Sequence, residues 1–99
     1  MLVVHVVLNI QAEKADTFLE VVESFVQEAR ATAGCRVYAW YQSTEQDNTY
    51  ILYEEWESEA QFRAYKESDL FGRTQQSLLP YAAAKPNSTY FLAEVTEKF

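Results

Sequence analysis

The first segment of the chain, residues 2–10, is hydrophobic except for two polar side chains, His5 and Asn9. Most of these side chains are β-branched or large and apolar, which is typical of a β-strand. Because successive side chains of a strand point to opposite sides, this strand has two different faces. One face is entirely apolar, suits packing against helices, and comprises Val4, Val6, Leu8 and Ile10. The other face is mixed and comprises Val3, His5, Val7 and Asn9.

The second segment, residues 13–32, has the period of a helix instead. Its apolar residues recur every three or four positions, which predicts an amphipathic α-helix with one buried stripe. The stripe comprises Ala15, Phe18, Leu19, Val22, Phe25, Val26 and Ala29. Gly34 follows at the place where a glycine that ends a helix is expected.

Two further strands are predicted for residues 35–43 and 48–56, which are rich in aromatic and β-branched side chains. The polar residues 44–47 between them predict a hairpin loop that makes the two strands antiparallel. Ser58 is followed three residues later by Gln61, the spacing of a capping box. This spacing predicts a short helix from Glu59 to about Glu67.

The last third of the chain predicts one more helix and a final strand. Ser68 caps a helix that ends near Leu79, because Pro80 disfavours helical backbone at the residue before it. Residues 81–86 form a connecting loop, and residues 88–96 form the fourth strand. The order β-α-β-β-α-(α)-β predicts an α+β fold, a ferredoxin-like sandwich in a single domain that spans residues 1–99.

An antiparallel sheet with helices on one side leaves its other side uncovered. In this chain the uncovered side would carry tyrosine and tryptophan side chains, and 48% of all residues are hydrophobic. A domain of this size buries only roughly 60–65% of the surface of its unfolded chain, so the apolar surplus favours a second buried surface. We therefore expect a homodimer.

Charge and composition exclude several classes of partner. The formal net charge is −7 and basic residues do not cluster, which excludes nucleic acid as an expected partner. The single cysteine, Cys35, fits a reducing compartment, and the first residues lack the features of a signal peptide. No apolar run is long enough to cross a bilayer. We expect a cytoplasmic protein that does not enter a membrane.

The usual catalytic motifs are missing from the sequence. One histidine and one cysteine do not supply a metal site, and no carboxylates have ligand spacing. The two glycines, Gly34 and Gly72, neither flank a serine nucleophile nor form a phosphate-binding loop. Any catalysis is therefore expected to proceed without a bound metal or one of these nucleophiles.

Several positions nevertheless resemble a known family. They are Asn9, Gly34 and Cys35, residues 54–58 with the sequence EEWES, then Ala60, Phe62 and Tyr65, and residues 68–71 with the sequence SDLF. In the order and spacing of these elements, nearly the whole chain resembles the antibiotic biosynthesis monooxygenases. The resemblance implies a dimeric α/β barrel that adds oxygen to a small phenolic, quinol or polyketide-like substrate. It also implies that molecular oxygen is the co-substrate and that no cofactor takes part.

The resemblance assigns candidate catalytic roles to two residues. It implies that Asn9 faces the cavity, where its amide can donate and accept hydrogen bonds. The alternative is an asparagine that bonds locally at the end of a strand. Tyr65 lies where many relatives have histidine, and it is a candidate for bonding a substrate oxygen or transferring a proton. The alternative for Tyr65 is a half-buried tyrosine of the core.

Two further residues are candidates on chemical grounds. His5 is the only imidazole and lies on the same face as Asn9, where it acts either as a base or as a structural residue. Glu54 lies two residues before Trp56, so both side chains point to the same side of the strand. Large apolar neighbours would raise the pKa of the Glu54 carboxyl and suit it to acid–base chemistry. Pairing with an arginine is the structural alternative.

Tyr38, Trp40 and Phe71 are candidate substrate-binding walls, with ordinary core packing as the alternative.

Besides the monooxygenase, three other functions are considered. An isomerase of a small phosphorylated diketone would need a basic or histidine-bearing pocket. Haem degradation would need a histidine after Phe71, where residues 72–77 have none. A non-catalytic ligand-binding or assembly domain would retain the fold alone.

Overall fold

The computed structural model describes residues 1–98, and Phe99, the last residue of the predicted domain, lies outside the described residues. Four strands and three α-helices follow one another in the predicted order, with short 3₁₀ turns before α1 and after α3. The elements are β1 (Leu2–Asn9), α1 (Ala15–Arg30), β2 (Cys35–Gln42), β3 (Thr49–Trp56), α2 (Glu59–Lys66), α3 (Asp69–Leu78) and β4 (Asn87–Leu92).

The strands form one antiparallel sheet in the order β2-β3-β1-β4, and the helices pack on one of its sides. This arrangement confirms the predicted α+β ferredoxin-like fold. β1 lies in the interior of the sheet and pairs with both β3 and β4. Its apolar face turns toward the helices as predicted, with Leu2, Val4 and Leu8 at most 5% exposed. Its mixed face forms part of the side that no helix covers.

The first helix is shorter than predicted because a 3₁₀ turn from Ala12 to Lys14 precedes it. Most of its predicted stripe is buried, with Phe18 and Ala29 almost fully so, but Leu19 is 42% exposed and does not belong to the buried face. Gly34 opens β2 with a φ of 85°, a left-handed conformation that favours glycine. A β-carbon at Gly34 would lie 2.5 Å from the Gln61 side chain, so this glycine also allows α2 to approach the sheet.

Two serines begin the second and third helices, as predicted. The Ser58 hydroxyl accepts a hydrogen bond from the backbone N–H of Gln61 at 3.2 Å and donates one to its side-chain oxygen at 2.9 Å. The Ser68 hydroxyl accepts from the backbone N–H of Phe71 at 3.2 Å. Each cap satisfies a backbone donor that the first turn of a helix leaves free.

The final strand ends at Leu92, not at residue 96 as predicted. Leu92 pairs with Leu2, the first residue of β1. Met1 and Ala93 exchange two backbone hydrogen bonds of 2.9 Å, and the ladder stops there. No helix within residues 1–98 is long and apolar enough to cross a membrane.

Candidate active site

A cavity of about 140 Å³ lies between the helix-facing side of the sheet and helices α2 and α3. All four strands contribute to its wall. Next to β2 and β3 its lining is deeply buried, with Tyr38 and Glu54 only 3% and 4% exposed. Next to β4 its lining is exposed, because Ser88 and Tyr90 lie on the edge strand. The cavity is therefore closed at the β2–β3 end and open at the β4 end.

The closed end holds the buried carboxyl group of Glu54. Glu54 lies opposite Tyr38 in the pairing of β2 with β3, and both side chains point toward the helices. Burial raises the pKa of Glu54 to about 7. The indole Nε1–H of Trp56 donates a hydrogen bond of 2.9 Å to Oε1 of Glu54, which opposes part of this rise by stabilising the charged form. At neutral pH this carboxyl group is thus able both to give and to take a proton.

Two tyrosine hydroxyls accompany Glu54 at the closed end. Burial raises the pKa of Tyr65 to about 12, and the nearby Glu54 charge adds to the rise. Burial also raises the pKa of Tyr38, with further contributions from Tyr65 and Glu54. Both phenols remain protonated at neutral pH. They can therefore donate hydrogen bonds to an oxygen anion held at this end of the cavity.

Aromatic rings line the rest of the cavity. Phe71 packs edge-on against Tyr65 with ring centroids 5.4 Å apart, and Trp40 packs edge-on against Phe18 at 5.6 Å. Both Phe71 and Trp40 contribute to the cavity wall. The structure thus brings together five of the predicted site residues: Tyr38, Trp40, Glu54, Tyr65 and Phe71.

Asn9 and His5 lie on the opposite side of the sheet, which corrects the prediction that Asn9 faces the cavity. The even-numbered residues of β1 point toward the helices, so the odd-numbered ones point away. Asn9 is exposed, and its Oδ1 accepts a hydrogen bond of 2.9 Å from the Thr49 hydroxyl. His5 is half-buried between its strand partners Tyr53 and Thr89.

Three polar residues of the lining were not predicted: Thr74, Gln75 and Ser88. Thr74 is 5% exposed, and its hydroxyl donates to the backbone oxygen of Leu70 at 2.8 Å. Its position three residues after Phe71 on α3 is a helical spacing that could have identified it. Ser88 could have been identified from the alternation of β4, where it shares a face with Tyr90.

Comparison with known proteins identifies the family. A family model described as antibiotic biosynthesis monooxygenase matches residues 1–77. The chain belongs to this family. The “Putative monooxygenase YcnE” of Bacillus subtilis (strain 168) is 30% identical over 71 residues, which are 72% of this chain and 75% of that protein.

Solved structures agree on the fold. A “putative antibiotic biosynthesis monooxygenase” from Caulobacter crescentus CB15 is 23% identical and superposes with a TM-score of 0.89, covering 95% of this chain and 90% of the other. A conserved protein from Methanosarcina mazei Go1 is 24% identical with a TM-score of 0.85, and the match covers 95% of each chain. At these identities the likeness concerns the fold.

The part of the chain that matches the antibiotic biosynthesis monooxygenase family includes the closed end of the cavity. Residues 1–77 include Tyr38, Glu54 and Tyr65, whereas β4 at the open end follows the match. Membership assigns the chain a monooxygenase-like role at the level of the family.

The described lining of the cavity lacks the axial histidine that the haem-degrading members of the family would require. Among the lining residues that the structure describes, none is a histidine or a cysteine. Helix α3 instead presents Thr74 and Gln75, which are poor axial ligands for haem iron. Within residues 1–98, no group of three or more His, Cys, Asp or Glu side chains is arranged to hold a metal ion.

Proposed function

We propose that this protein is a cofactor-independent monooxygenase that oxidises a small phenol or quinol with molecular oxygen. The observation that carries the proposal is the buried Glu54 carboxyl group beside Tyr38 and Tyr65, at the closed end of an aromatic cavity. The family-level monooxygenase role supports it. The substrate class and the roles of the residues are inferred from the chemistry of the cavity.

The first step is removal of the phenolic proton by the carboxylate form of Glu54. A phenol has an ordinary pKa near 10, as tyrosine has, and its anion gives up an electron more readily than the neutral form. A carboxyl pKa of about 7 lies closer to that of a phenol than the ordinary value of 4.5 does, which makes the proton transfer less uphill.

Tyr38 and Tyr65 stabilise the phenolate that results. Both hydroxyls are protonated and lie in a site with little access to water, where hydrogen bonds to a developing charge are strongest. Their fixed positions also orient the ring of the substrate, with its oxygen at the closed end and its far side toward β4.

When the substrate is a quinol, the reaction needs no reductant other than the substrate itself. Hydroquinone and one O₂ give one hydroxybenzoquinone and one water. The substrate supplies all four electrons, one oxygen atom enters the ring, and the other leaves as water with two hydrogens of the substrate.

The size of the cavity favours a substrate with a single ring. An engineered apolar cavity of about 150 Å³ in another protein accommodates benzene. The present cavity, at about 140 Å³, is similar in volume and is lined by rings on several sides. It therefore suits a monocyclic phenol or quinol better than a fused polycyclic polyketide.

Oxygen uptake tests the proposal directly. Purified protein is incubated with hydroquinone and substituted hydroquinones in the presence of a metal chelator, and uptake above the spontaneous rate is recorded. We expect Glu54→Gln to lower kcat by about 10²- to 10⁴-fold, the usual contribution of general acid–base catalysis. Tyr65→Phe is expected to lower it less, because Tyr38 remains as a donor.

Asn9→Ala locates the reaction on one side of the sheet. Because Asn9 lies on the side away from the cavity, this variant is expected to retain uptake. Loss of uptake in Asn9→Ala with retention in Glu54→Gln would contradict the assignment to the cavity. Binding of quinols without protein-dependent uptake would instead favour a non-catalytic ligand-binding domain.

The composition of the cavity disfavours an isomerase that acts on a phosphorylated diketone. None of the described residues that line the cavity is lysine, arginine or histidine, and the one charged group, Glu54, would repel a phosphate.

We also propose that two copies of the chain associate through the uncovered side of the sheet. This side carries large apolar side chains that are only partly buried in one chain, among them Val3, Val7, Ile51 and Phe91. A second copy would cover them in an interface between like surfaces.

A further inference from the structure

Trp56 lies behind the wall of the cavity and not in it. It is the last residue of β3, two positions after Glu54, and its side chain is 0% exposed. The rings of Phe62 and Tyr65 and the side chains of Leu2 and Val4 surround it. A tryptophan in such a place would ordinarily be assigned to the core alone.

The indole nevertheless contacts two polar groups of the closed end at once. Its Nε1–H donates to Oε1 of Glu54 at 2.9 Å. Its face stacks on the ring of Tyr65, with centroids 4.9 Å apart and an angle of 28° between the planes. One rigid side chain therefore restrains both the carboxyl group and the neighbouring phenol.

The two carboxyl oxygens of Glu54 have different surroundings because of this hydrogen bond. Oε1 is taken by the indole, and Trp56 is the only side-chain donor to Glu54 within residues 1–98. No fully buried polar side-chain atom in this part of the chain lacks a partner, so Oε2, which has none, is not completely sealed into the core. Since Glu54 lines the cavity, Oε2 is the oxygen left free to reach a ligand there. The last torsion of a glutamate is soft, and a hydrogen bond to one oxygen fixes where the other one points.

We propose that Trp56 is a positioning residue of the active site, which holds Oε1 of Glu54 so that Oε2 is directed at the substrate. The catalytic consequence of this proposal rests on the proposed function, because it takes Glu54 as the base. The positioning itself does not, and it can be measured on the protein without substrate.

The indole also influences when Glu54 carries a charge. Burial raises the pKa of Glu54, and the hydrogen bond from Trp56 lowers it. Without the N–H donor, burial acts unopposed and the pKa rises further. The fraction of Glu54 in the carboxylate form at neutral pH then falls.

The experiment removes the donor in two ways. Trp56→Phe deletes the N–H group and part of the ring, whereas incorporation of β-(3-benzothienyl)alanine at position 56 replaces N–H by sulfur and retains the shape. Infrared difference spectra follow the carbonyl band of the protonated carboxyl group through a pH titration, and Glu54→Gln identifies that band. Phe18→Leu is the control, because Phe18 is fully buried in a separate core cluster and does not line the cavity.

We expect the titration midpoint of Glu54 to rise by about one to two pH units in both variants at position 56, as for loss of a hydrogen bond to a charged group. It should not move in Phe18→Leu. If the wild type oxidises a quinol, the acidic limb of kcat/KM should move to higher pH by the same amount, with kcat lowered more than KM is changed.

An unchanged midpoint in the benzothienylalanine protein would overturn the proposal, and this variant is decisive if Trp56→Phe does not fold. An equal shift in Phe18→Leu would also overturn it, since the effect would then be a general loosening of the core. A shifted midpoint in a protein that shows no quinol-dependent oxygen uptake would support the positioning and contradict the proposed oxygenation.

Discussion

Glu54 is an uncommon residue for the interior of a small protein, because a buried charge is costly unless it is paired. No salt bridge to it is present among the described residues, so the predicted alternative of an arginine partner does not apply. The sequence already indicated a raised pKa, because Glu54 and Trp56 had to lie on the same apolar side of β3. The structure confirms this and adds the indole hydrogen bond, which alternation alone does not reveal.

The burial of Glu54 predicts a pH dependence of stability. Its folded-state pKa of about 7 exceeds the ordinary 4.5, so between these values the folded protein binds more protons than the unfolded chain. The stability that this group contributes is complete below pH 4.5 and is lost as the pH rises through about 7. In Glu54→Gln this dependence is absent.

Urea unfolding of both proteins from pH 5.5 to 8.5, above the isoelectric point of about 4.6, measures the difference. The wild type is expected to lose roughly 2 kcal/mol relative to Glu54→Gln over this range. Parallel stability curves for the two proteins would contradict the burial of a titrating carboxyl group.

At the scale of elements, local signals predicted the types and order of the helices and strands, and the errors lie at the ends. The predicted start of α1 was too early because a 3₁₀ turn precedes the helix, and the N-cap residue of neither element, Gln11 or Lys14, makes a side-chain capping hydrogen bond. The predicted β4 was too long because the length of this strand depends on its pairing with β1, which is distant in the sequence. By contrast, the starts of α2 and α3 were predictable, since Ser58 and Ser68 act on residues only three positions away.

Removing the capping hydroxyl of Ser58 or Ser68 is expected to lower the stability of the protein. Ser58→Ala and Ser68→Ala are each expected to lower the free energy of unfolding by about 1 kcal/mol, the usual cost of losing an N-cap. Ser24→Ala, in the middle of α1, is the control, because its hydroxyl bonds a carbonyl of its own helix and serves no free N–H group. Urea unfolding at one pH compares the three variants, and a loss in Ser24→Ala as large as in the others would contradict the capping role.

For the molecule as a whole, the sheet separates two environments. Alternation along β1 correctly divided its residues into two faces, but it did not indicate on which side the cavity lies. The resemblance implied that Asn9 faces the cavity, whereas the cavity lies under the helices, on the apolar face of β1. The polar groups of its closed end come from Tyr38, Glu54 and Tyr65, and no local pattern of β1 could show that they meet there.

We expect that a single charged substitution on the uncovered side of the sheet disrupts the proposed dimer. Val7 lies on β1 within this side, paired with Ile51 and Asn87. Val7→Lys is expected to turn a dimer into a monomer, because a lysine would be buried without a partner in the interface. Gln27→Lys adds the same charge on the exposed side of α1 and serves as the control.

Light scattering coupled to size-exclusion chromatography gives the mass of each protein, and circular dichroism checks that each is folded. A wild-type protein that is monomeric at micromolar concentration would contradict the proposed dimer. Retention of a dimer in Val7→Lys would place the contact elsewhere on the surface.

The two-sided sheet also bears on how such a protein can evolve. Adjacent residues of one strand belong to different environments, so a substitution at Leu52 reshapes the cavity while its neighbour Ile51 is untouched. Selection can thus change the ligand preference and the outer surface independently, because the residues that determine each alternate along the same few strands. A lineage that retains this sheet is able to explore new chemistry without first giving up its architecture.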